Sequence, residues 1–383
     1  MKVYLDNAAT TPLDPEVLKA MMPCYTEDFG NPSSIHSFGR KTRSVIEGAR
    51  KTVAKLLNVT PAEIFFTSGG TEADNMAIVQ TIEAHGITHV ISSLIEHHAV
   101  EHTIKVLEKA GKVKVSWVNI DAKGNVDLAH LEELLQTNER SLVSLMHANN
   151  EIGTLLPIKA VGNLCAKYNA IFHSDTVQTM GHYKMDLREL KVHFVTCAAH
   201  KFHGPKGVGF LYINHELKIT PFINGGAQER NMRGGTENVA GIVGLAKALE
   251  IAIAELNEHQ KHIKSIKDYM RERLVAEIPG TEFNGETSHD KSLYTVLNCR
   301  FPLHPDAEML LFNLDIMGIA ASGGSACSSG SNQGSHVLRG LGIEMERPSV
   351  RFSFSKYTTK EEIDFVVNKL VEIFVPAEKA INK

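Results

Sequence analysis

The chain has 383 residues, 43% of them hydrophobic, which is enough for two domains and at least one large core. Its formal net charge is -4, so no basic surplus points to nucleic acid or a membrane surface, and small molecules or proteins are the expected partners. No run approaches the ~20 apolar residues that span a bilayer, and Met1-Lys2-Val3-Tyr4-Leu5 lacks the apolar core of a signal peptide, so the expected location is the cytoplasm. Five cysteines, Cys24, Cys165, Cys197, Cys299 and Cys327, are scattered without C-x-x-C spacing, which argues against a disulfide framework or a cysteine-built zinc site.

In chain order, a strand from Val3 to Leu5 runs into the small, polar turn Asp6 to Pro12, and a helix starts near Asp14-Pro15. Arg40 to Leu57 has helical spacing. Glu63 to Thr67 is a strand that ends in Ser68-Gly69-Gly70-Thr71-Glu72-Ala73-Asp74, before a helix from Glu72 to Ala84. That turn aims backbone N–H groups and the positive end of a helix dipole at one point, which suits a phosphate. Thr71 with Asp74 also reads as an ordinary capping box, although the double glycine lets an anion approach the backbone.

Strands at Val90 to Ser93, Val113 to Val118, Ser141 to Met146 and Ala170 to Phe172 alternate with helices near Val100 to Lys109, Leu128 to Leu135 and Ile158 to Tyr168. This pattern predicts an α/β fold, a large mostly parallel sheet with helices on both faces, and such sheets bind ligands beyond the carboxyl ends of their strands. Polar residues follow those ends: His147 to Glu151, then His173 to Gln178, then His200-Lys201. Phe194 to Cys197 is a short buried strand, and Gly204-Pro205 with Gly207 and Gly209 breaks the chain before the strand Val208 to Ile213. Lys201 therefore sits at a strand end, where a desolvated lysine loses its proton easily and can attack a carbonyl. Among 40 Lys and Arg residues, the ordinary alternative is a solvated loop lysine, and the neighbours must decide.

A long helical stretch is expected from Thr236 to about Ile278. Strands at Ser292 to Cys299, Ile319 to Ser322 and Val350 to Phe354, with helices at Asp306 to Leu314 and Lys360 to Val375, follow it. The expected organisation is a large cofactor-binding domain over residues 16–256 and a smaller C-terminal α/β domain over 257–383, with the N-terminal segment 1–15 packing near the smaller one. Residues 322–335, almost without side-chain anchors, are expected to form a mobile, exposed loop carrying Cys327.

Pyridoxal 5′-phosphate needs a lysine for its aldehyde, an acid beside its pyridine nitrogen, a phosphate cradle and a ring stacker. Lys201, Asp175, Gly70-Thr71 and His97 can fill those roles, and all are expected at strand ends. Six motifs then carry a resemblance: Tyr4 to Pro12, Thr67 to Asn75, His147 to Gly153, His200-Lys201 with Gly204-Pro205-Lys206-Gly207, Arg233-Gly234-Gly235-Thr236, and Ser325-Ala326-Cys327. Nearly the whole chain resembles the cysteine desulfurases, the NifS/IscS-like group of the class V aminotransferase family. The resemblance implies the type I fold of pyridoxal-phosphate-dependent transferases and makes Lys201 the Schiff-base lysine, with Asp175 on the pyridine nitrogen and Gln178 near the phenolic oxygen. It places His97 on the ring, Asn150 near ring and substrate, and Gly70, Thr71 and His200 on the phosphate. Thr236 would reach the phosphate of a neighbouring subunit, implying a homodimer, and Arg351 would clamp the substrate carboxylate through its bidentate fork.

In this reading Lys201 removes the Cα proton of L-cysteine, His97 assists reprotonation, and the Cys327 thiolate takes the sulfur as a persulfide while alanine leaves. The sulfur then passes to an acceptor protein such as an iron-sulfur scaffold or to thiolation acceptors. No dedicated metal site is expected, although Cys327 could transiently ligate an iron-sulfur cluster. Cys165 and Cys197, in apolar surroundings, read as small buried hydrophobes. The chain departs from the family twice. Ala198 stands where a serine is usual, removing a donor to the phosphate worth roughly 1.5 to 3 kcal/mol unless Thr196 or a water compensates. Asn332-Gln333-Gly334 replaces the usual acidic-proline pair after Cys327.

Selenocysteine lyase and aminotransferase activities on the same scaffold are the close alternatives, and comparing cysteine with selenocysteine discriminates the first. His98-Ala99-Val100-Glu101-His102 also fits the H-x-x-E-H pattern of zinc peptidases, a remote alternative because no third ligand is evident from the sequence.

Overall fold

A computed structural model describes residues 1–137, 140–305, 307–324 and 334–375. The chain opens with β1 (Val3–Tyr4), α1 (Pro15–Met21), α2 (Pro23–Thr26) and α3 (Ser37–Leu56). Strands and helices then alternate: β2 (Ile64–Thr67), α4 (Gly70–His85), β3 (His89–Ser92), α5 (His98–Lys109), β4 (Lys114–Trp117), α6 (Leu128–Thr137), β5 (Leu142–Ser144), α7 (Ile158–Lys167) and β6 (Ile171–Asp175). β7 (Phe194–Ala198) and β8 (Gly209–Ile213) complete the large sheet before α8 (Val239–Ala254) and α9 (Leu256–Glu277). The last part comprises β9 (Glu282–Asn284), β10 (Val296–Arg300), α10 (Leu310–Ile316), β11 (Ile319–Ala320), α11 (His336–Gly340), β12 (Ser349–Ser353) and α12 (Lys360–Phe374).

The seven-stranded sheet runs β2-β8-β7-β6-β5-β3-β4. Only β8 is antiparallel to its neighbours, so β2, β3, β5, β6 and β7 all deliver their carboxyl ends to one edge. Its strands are apolar on both faces because helices cover both. Phe66, Val143, Phe172, Val195 and Phe210 face the core shared with α3, α7 and α8, while Phe65, Leu142, Ile171, Phe194 and Leu211 face α4 and α5.

A three-stranded antiparallel sheet, β12-β10-β9, packs with α9 and α12 around a second core that includes Leu297, Phe352, Met270 and Val367. β1 pairs in parallel with β11, so the N-terminus is tied to this second core through Val3 and Leu5.

The helical stretch expected from Thr236 to Ile278 divides at Glu255. α8 is apolar and buries Leu245 and Leu249 in the large core, whereas α9 turns Ile263, Ile266, Met270 and Leu274 into the second one. Neither proline nor glycine marks the break; the change of core does.

One buried ion pair fixes the connection between β8 and α8. Arg50 on α3 donates through both Nη atoms to the Glu229 carboxylate at 2.8 Å, with both side chains 3% exposed. Glu229 also accepts the Phe66 N–H at 2.9 Å, binding the connection to β2. Arg50→Met leaves a buried carboxylate without its cation and is expected to cost about 3–5 kcal/mol, read as a lower midpoint in urea unfolding.

Candidate active site

A cavity of about 210 Å³ opens at the carboxyl edge of the large sheet. It brings together nine of the sequence-predicted residues: Gly70, Thr71, His97, Asn150, Asp175, Gln178, His200, Lys201 and Arg351. Asp175 ends β6, and Lys201 closes the 3₁₀ turn that follows β7. Lys201 Nζ donates to the carbonyls of Ala8 at 2.7 Å and Ala9 at 2.9 Å, while Gln178 Nε2 donates to the same Ala8 oxygen at 3.0 Å. The N-terminal turn is therefore one wall of the cavity.

His97 is the N-cap of α5, and its Nδ1 accepts the Ala99 N–H at 3.2 Å. This contact orients the ring and leaves the proton on Nε2. Burial, and then the positive charge of Lys201, hold its pKa down at about 4, so the imidazole is neutral at physiological pH. Burial and the same lysine lower His200 to about 4, and its Nδ1 lies 3.1 Å from Thr10 Oγ1.

Acids dominate the opposite side. Burial, reinforced by the neighbouring Asp74 carboxyl, raises Asp175 to about 7, and Asp74 itself is raised to about 7 by burial. A nitrogen of His97 and oxygens of these two acids lie within 4.8 Å of one another. Asp175 Oδ1 accepts the Val177 N–H at 2.8 Å, which fixes the carboxyl plane.

At the far end, Arg351 on β12 is 1% exposed and donates to Asn150 O and Asp6 Oδ1, each at 2.8 Å. Its Nε and the Asn150 side-chain oxygen are buried without a partner among the described residues. A buried guanidinium with an unmet N–H is poised for an anion.

Residues 3–366 match the family described as Aminotransferase class-V. The chain belongs to the class-V aminotransferase family. Among curated relatives, a protein named cysteine desulfurase IscS from Dictyoglomus turgidum is 45% identical over 97% of this chain and 94% of its own length. One of the same name from Clostridium botulinum is 44% identical over the same shares. Among solved structures, a NifS-like protein superposes with a TM-score of 0.89 at 39% identity, covering 97% of this chain and 99% of its own. Another, described as SspA in complex with cysteine, gives a TM-score of 0.81 at 31% identity, covering 94% and 100% of the two chains. Class-V enzymes of this kind depend on pyridoxal 5′-phosphate.

The cavity fits that group. Two buried acids are raised toward neutrality, and Asp175 is the residue that would pair with a pyridinium N–H. Elsewhere on the cavity wall, α4 begins at Gly70 behind Gly69 (φ +155°), and no side chain caps it. Thr71 is therefore not an N-cap, contrary to the capping-box expectation, and Asp74 faces the cavity instead. The left-handed Gly69 packs against Gly209, where a Cβ would stand 2.1 Å from Cys197 O and 3.0 Å from the Gly69 backbone. Both glycines are needed to leave the first N–H groups of α4 open to an anion. A Cβ on Gly70 would lie 2.8 Å from Val177, filling the cradle.

Thr196 does not replace the hydroxyl lost at Ala198. It hydrogen-bonds the Asp74 carboxyl and lies 3.1 Å from His173 Nε2, in a buried network completed by the Ser144 hydroxyl at 2.8 Å from His173 Nδ1. Thr236 lies outside the cavity, in a separate recess with Phe66, Glu229 and Arg233. Cys327 lies outside the described residues. Cys165 and Cys197 are fully buried, and burial pushes the first thiol up to about 12 and the second well above its ordinary range.

Sequence reasoning missed Asp74, Asp6 and the Ala8 and Ala9 carbonyls. Backbone oxygens carry no residue signal, and Asp74 had a ready explanation as a cap. Lys206 lines a recess with Gly70, Thr71 and His200 and was legible only as part of the glycine-rich turn.

Ala198→Ser restores one donor, and a hydrogen bond to a charged group contributes roughly 1.5–3 kcal/mol. Cofactor release during dialysis, followed by visible absorbance, is expected to slow about tenfold or more. In the cofactor-free protein, Asp175 holds a proton in the folded state between its ordinary 3.8 and about 7 that it lacks when unfolded, so its contribution to stability falls as pH rises through that window. Asp175→Asn removes that loss, and the cofactor-free variant is expected to gain on cofactor-free wild type in thermal unfolding from about pH 5 to about pH 8.

Proposed function

We propose that this chain is a cysteine desulfurase that converts L-cysteine to L-alanine and carries the sulfur as a persulfide on Cys327. The observation that carries the reading is the convergence of Lys201, Asp175, His97 and the buried Arg351 in one cavity, on a chain whose relatives bear that name. Bound pyridoxal 5′-phosphate supplies an aldehyde for an amine and an electron-withdrawing ring that labilises bonds at the α-carbon.

The protein does the rest. Asp175 would balance the ring nitrogen's charge, neutral His97 would stack on the ring, and the open N–H groups of α4 with Thr71, His200 and Lys206 would hold the phosphate. Arg351 and Asn150 receive the substrate carboxylate and fix which substituent faces Lys201. Lys201 is the group that moves the Cα proton, starting from a position in which its Nζ donates to the Ala8 and Ala9 carbonyls.

The net reaction is balanced without an outside oxidant. A thiol and cysteine give a persulfide and alanine: the sulfur–sulfur bond forms as the carbon–sulfur bond breaks, the acceptor thiol is oxidised, and the β-carbon is reduced and gains a proton. Described residues on both sides of the Cys327 segment are anchored at the substrate end of the cavity. Ser322 exchanges backbone hydrogen bonds with Arg351, and the Ser335 hydroxyl donates to Glu151, next to Asn150.

The reading extends to a homodimer in which Thr236 serves the neighbouring subunit. Its placement in a recess apart from the cavity supports this, as do the exposed Leu18, Met22, Tyr25, Phe29, Ile35 and Phe38 on the surface around α1 to α3. The proposed setting is cytoplasmic, with an iron-sulfur scaffold or similar acceptor protein receiving the sulfur. Among the described residues, no helix is long and apolar enough to cross a membrane.

Incubation of the purified holoenzyme with L-cysteine is expected to yield alanine and a Cys327 peptide heavier by one sulfur in mass spectrometry. Cys327→Ser is expected to lose sustained alanine formation by a factor of about a hundred or more, as expected when a nucleophile is removed. Alanine formation at the parental rate by this variant would sink the assignment. Arg351→Lys, which keeps the charge but not the fork, is expected to raise KM for cysteine about tenfold or more with a smaller change in kcat.

A further inference from the structure

The H-x-x-E-H pattern gains the third partner that the sequence did not reveal. His98 and Glu101 on α5 meet His336, the first residue of α11, and one donor atom from each lies within 4.8 Å of the others. The His98 and His336 rings stand 4.2 Å apart, and the His102 ring stacks on His98 at 4.5 Å. Glu101 Oε1 is held by Lys105, while Oε2 lies 3.3 Å from His98 Nδ1 and 3.7 Å from His102 Nε2.

The decisive detail concerns the two nitrogens of His336. Nε2 lies 2.9 Å from the Glu96 carbonyl, which can only accept, so Nε2 carries the proton and Nδ1 holds a bare lone pair. That Nδ1 is buried with no hydrogen-bond partner among the described residues. A backbone carbonyl that fixes one ring nitrogen and leaves the other buried and unpartnered, on a ring packed beside a carboxylate and a second imidazole, is the support found behind metal-binding histidines.

We propose that His98, Glu101 and His336 bind a divalent transition-metal ion of the zinc class, leaving a fourth position to His102 or water. Two imidazoles and a carboxylate suit such an ion, whose bond lengths near 2.0–2.2 Å place donors about 3.4 Å apart, a small contraction of the present cluster. The ion clips α11 to α5, the helix that His97 caps. It is not a hydrolytic centre, because Glu101 is itself a donor and its other oxygen is occupied by Lys105. The clip is independent of the desulfurase reading.

The test uses chelator-treated holoenzyme in a Cys327→Ser background, so that the loop thiol does not compete, titrated with cobalt(II) and then with zinc. One equivalent per chain is expected, with the weak visible bands of nitrogen- and oxygen-bound cobalt and no thiolate charge-transfer band, displaced by zinc. Zinc is expected to raise the unfolding temperature. His336→Ala and Glu101→Gln are each expected to weaken binding about tenfold or more and to abolish that rise, while their metal-free unfolding stays cooperative; His98→Gln serves if either fails to fold. Absence of the visible bands in the parent, or unchanged affinity in all three variants, overturns the site.

Discussion

Segment 5–14 ties the two sheets to each other and to Lys201, and the rest of the site depends on that seam. Leu5 O accepts the Ser353 N–H at 2.7 Å, and Asn7 Nδ2 and Ala8 N bond Ser353 from the other side, each at 2.8 Å. Ala8 and Ala9 then turn their carbonyls to Lys201, while Thr11 N and Asp14 N bond the backbone oxygens of His200 and His203 at 2.9 and 3.0 Å. Asp6 reaches Arg351 and Asp14 reaches Lys356, so each end of the seam also carries an ion pair. Ten residues thereby set the distance between the lysine of one sheet and the guanidinium of the other.

The electrostatics of the cavity follow from its burial. Asp74 and Asp175 are raised to about 7 and Glu96 to about 8, while His97, His173 and His200 are lowered to about 4. Every shift opposes charge. A low-dielectric hollow of this kind amplifies the charges that a ligand brings, so a pyridinium and a phosphate meet strong partners without competition from water.

The parallel sheet and the convergence of Lys201, Asp175 and Asn150 were legible in the sequence because polar residues follow apolar strand runs at regular intervals. Less legible was whatever depended on contacts across the chain. Thr71 and Asp74 match a local capping pattern, but the approach of Gly209 to Gly69, well over a hundred residues apart, decides where α4 starts. Glu255 interrupts a uniform helical pattern because two cores compete for it. His336 is separated from His98 by most of the chain, and no periodicity predicts their meeting.

Glu229, Arg230 and Asn231 are three successive non-glycine residues with left-handed φ values of 43°, 57° and 67°. Such conformations cost about 1–2 kcal/mol each for most side chains, and here the Arg50 guanidinium holds Glu229 in place, while Arg230 bonds the Ile64 carbonyl at 2.7 Å. The turn that leads to Thr236 is thus held in shape by the chain's own bonds. A second subunit docking there would find a rigid edge and would lose little disorder in meeting it.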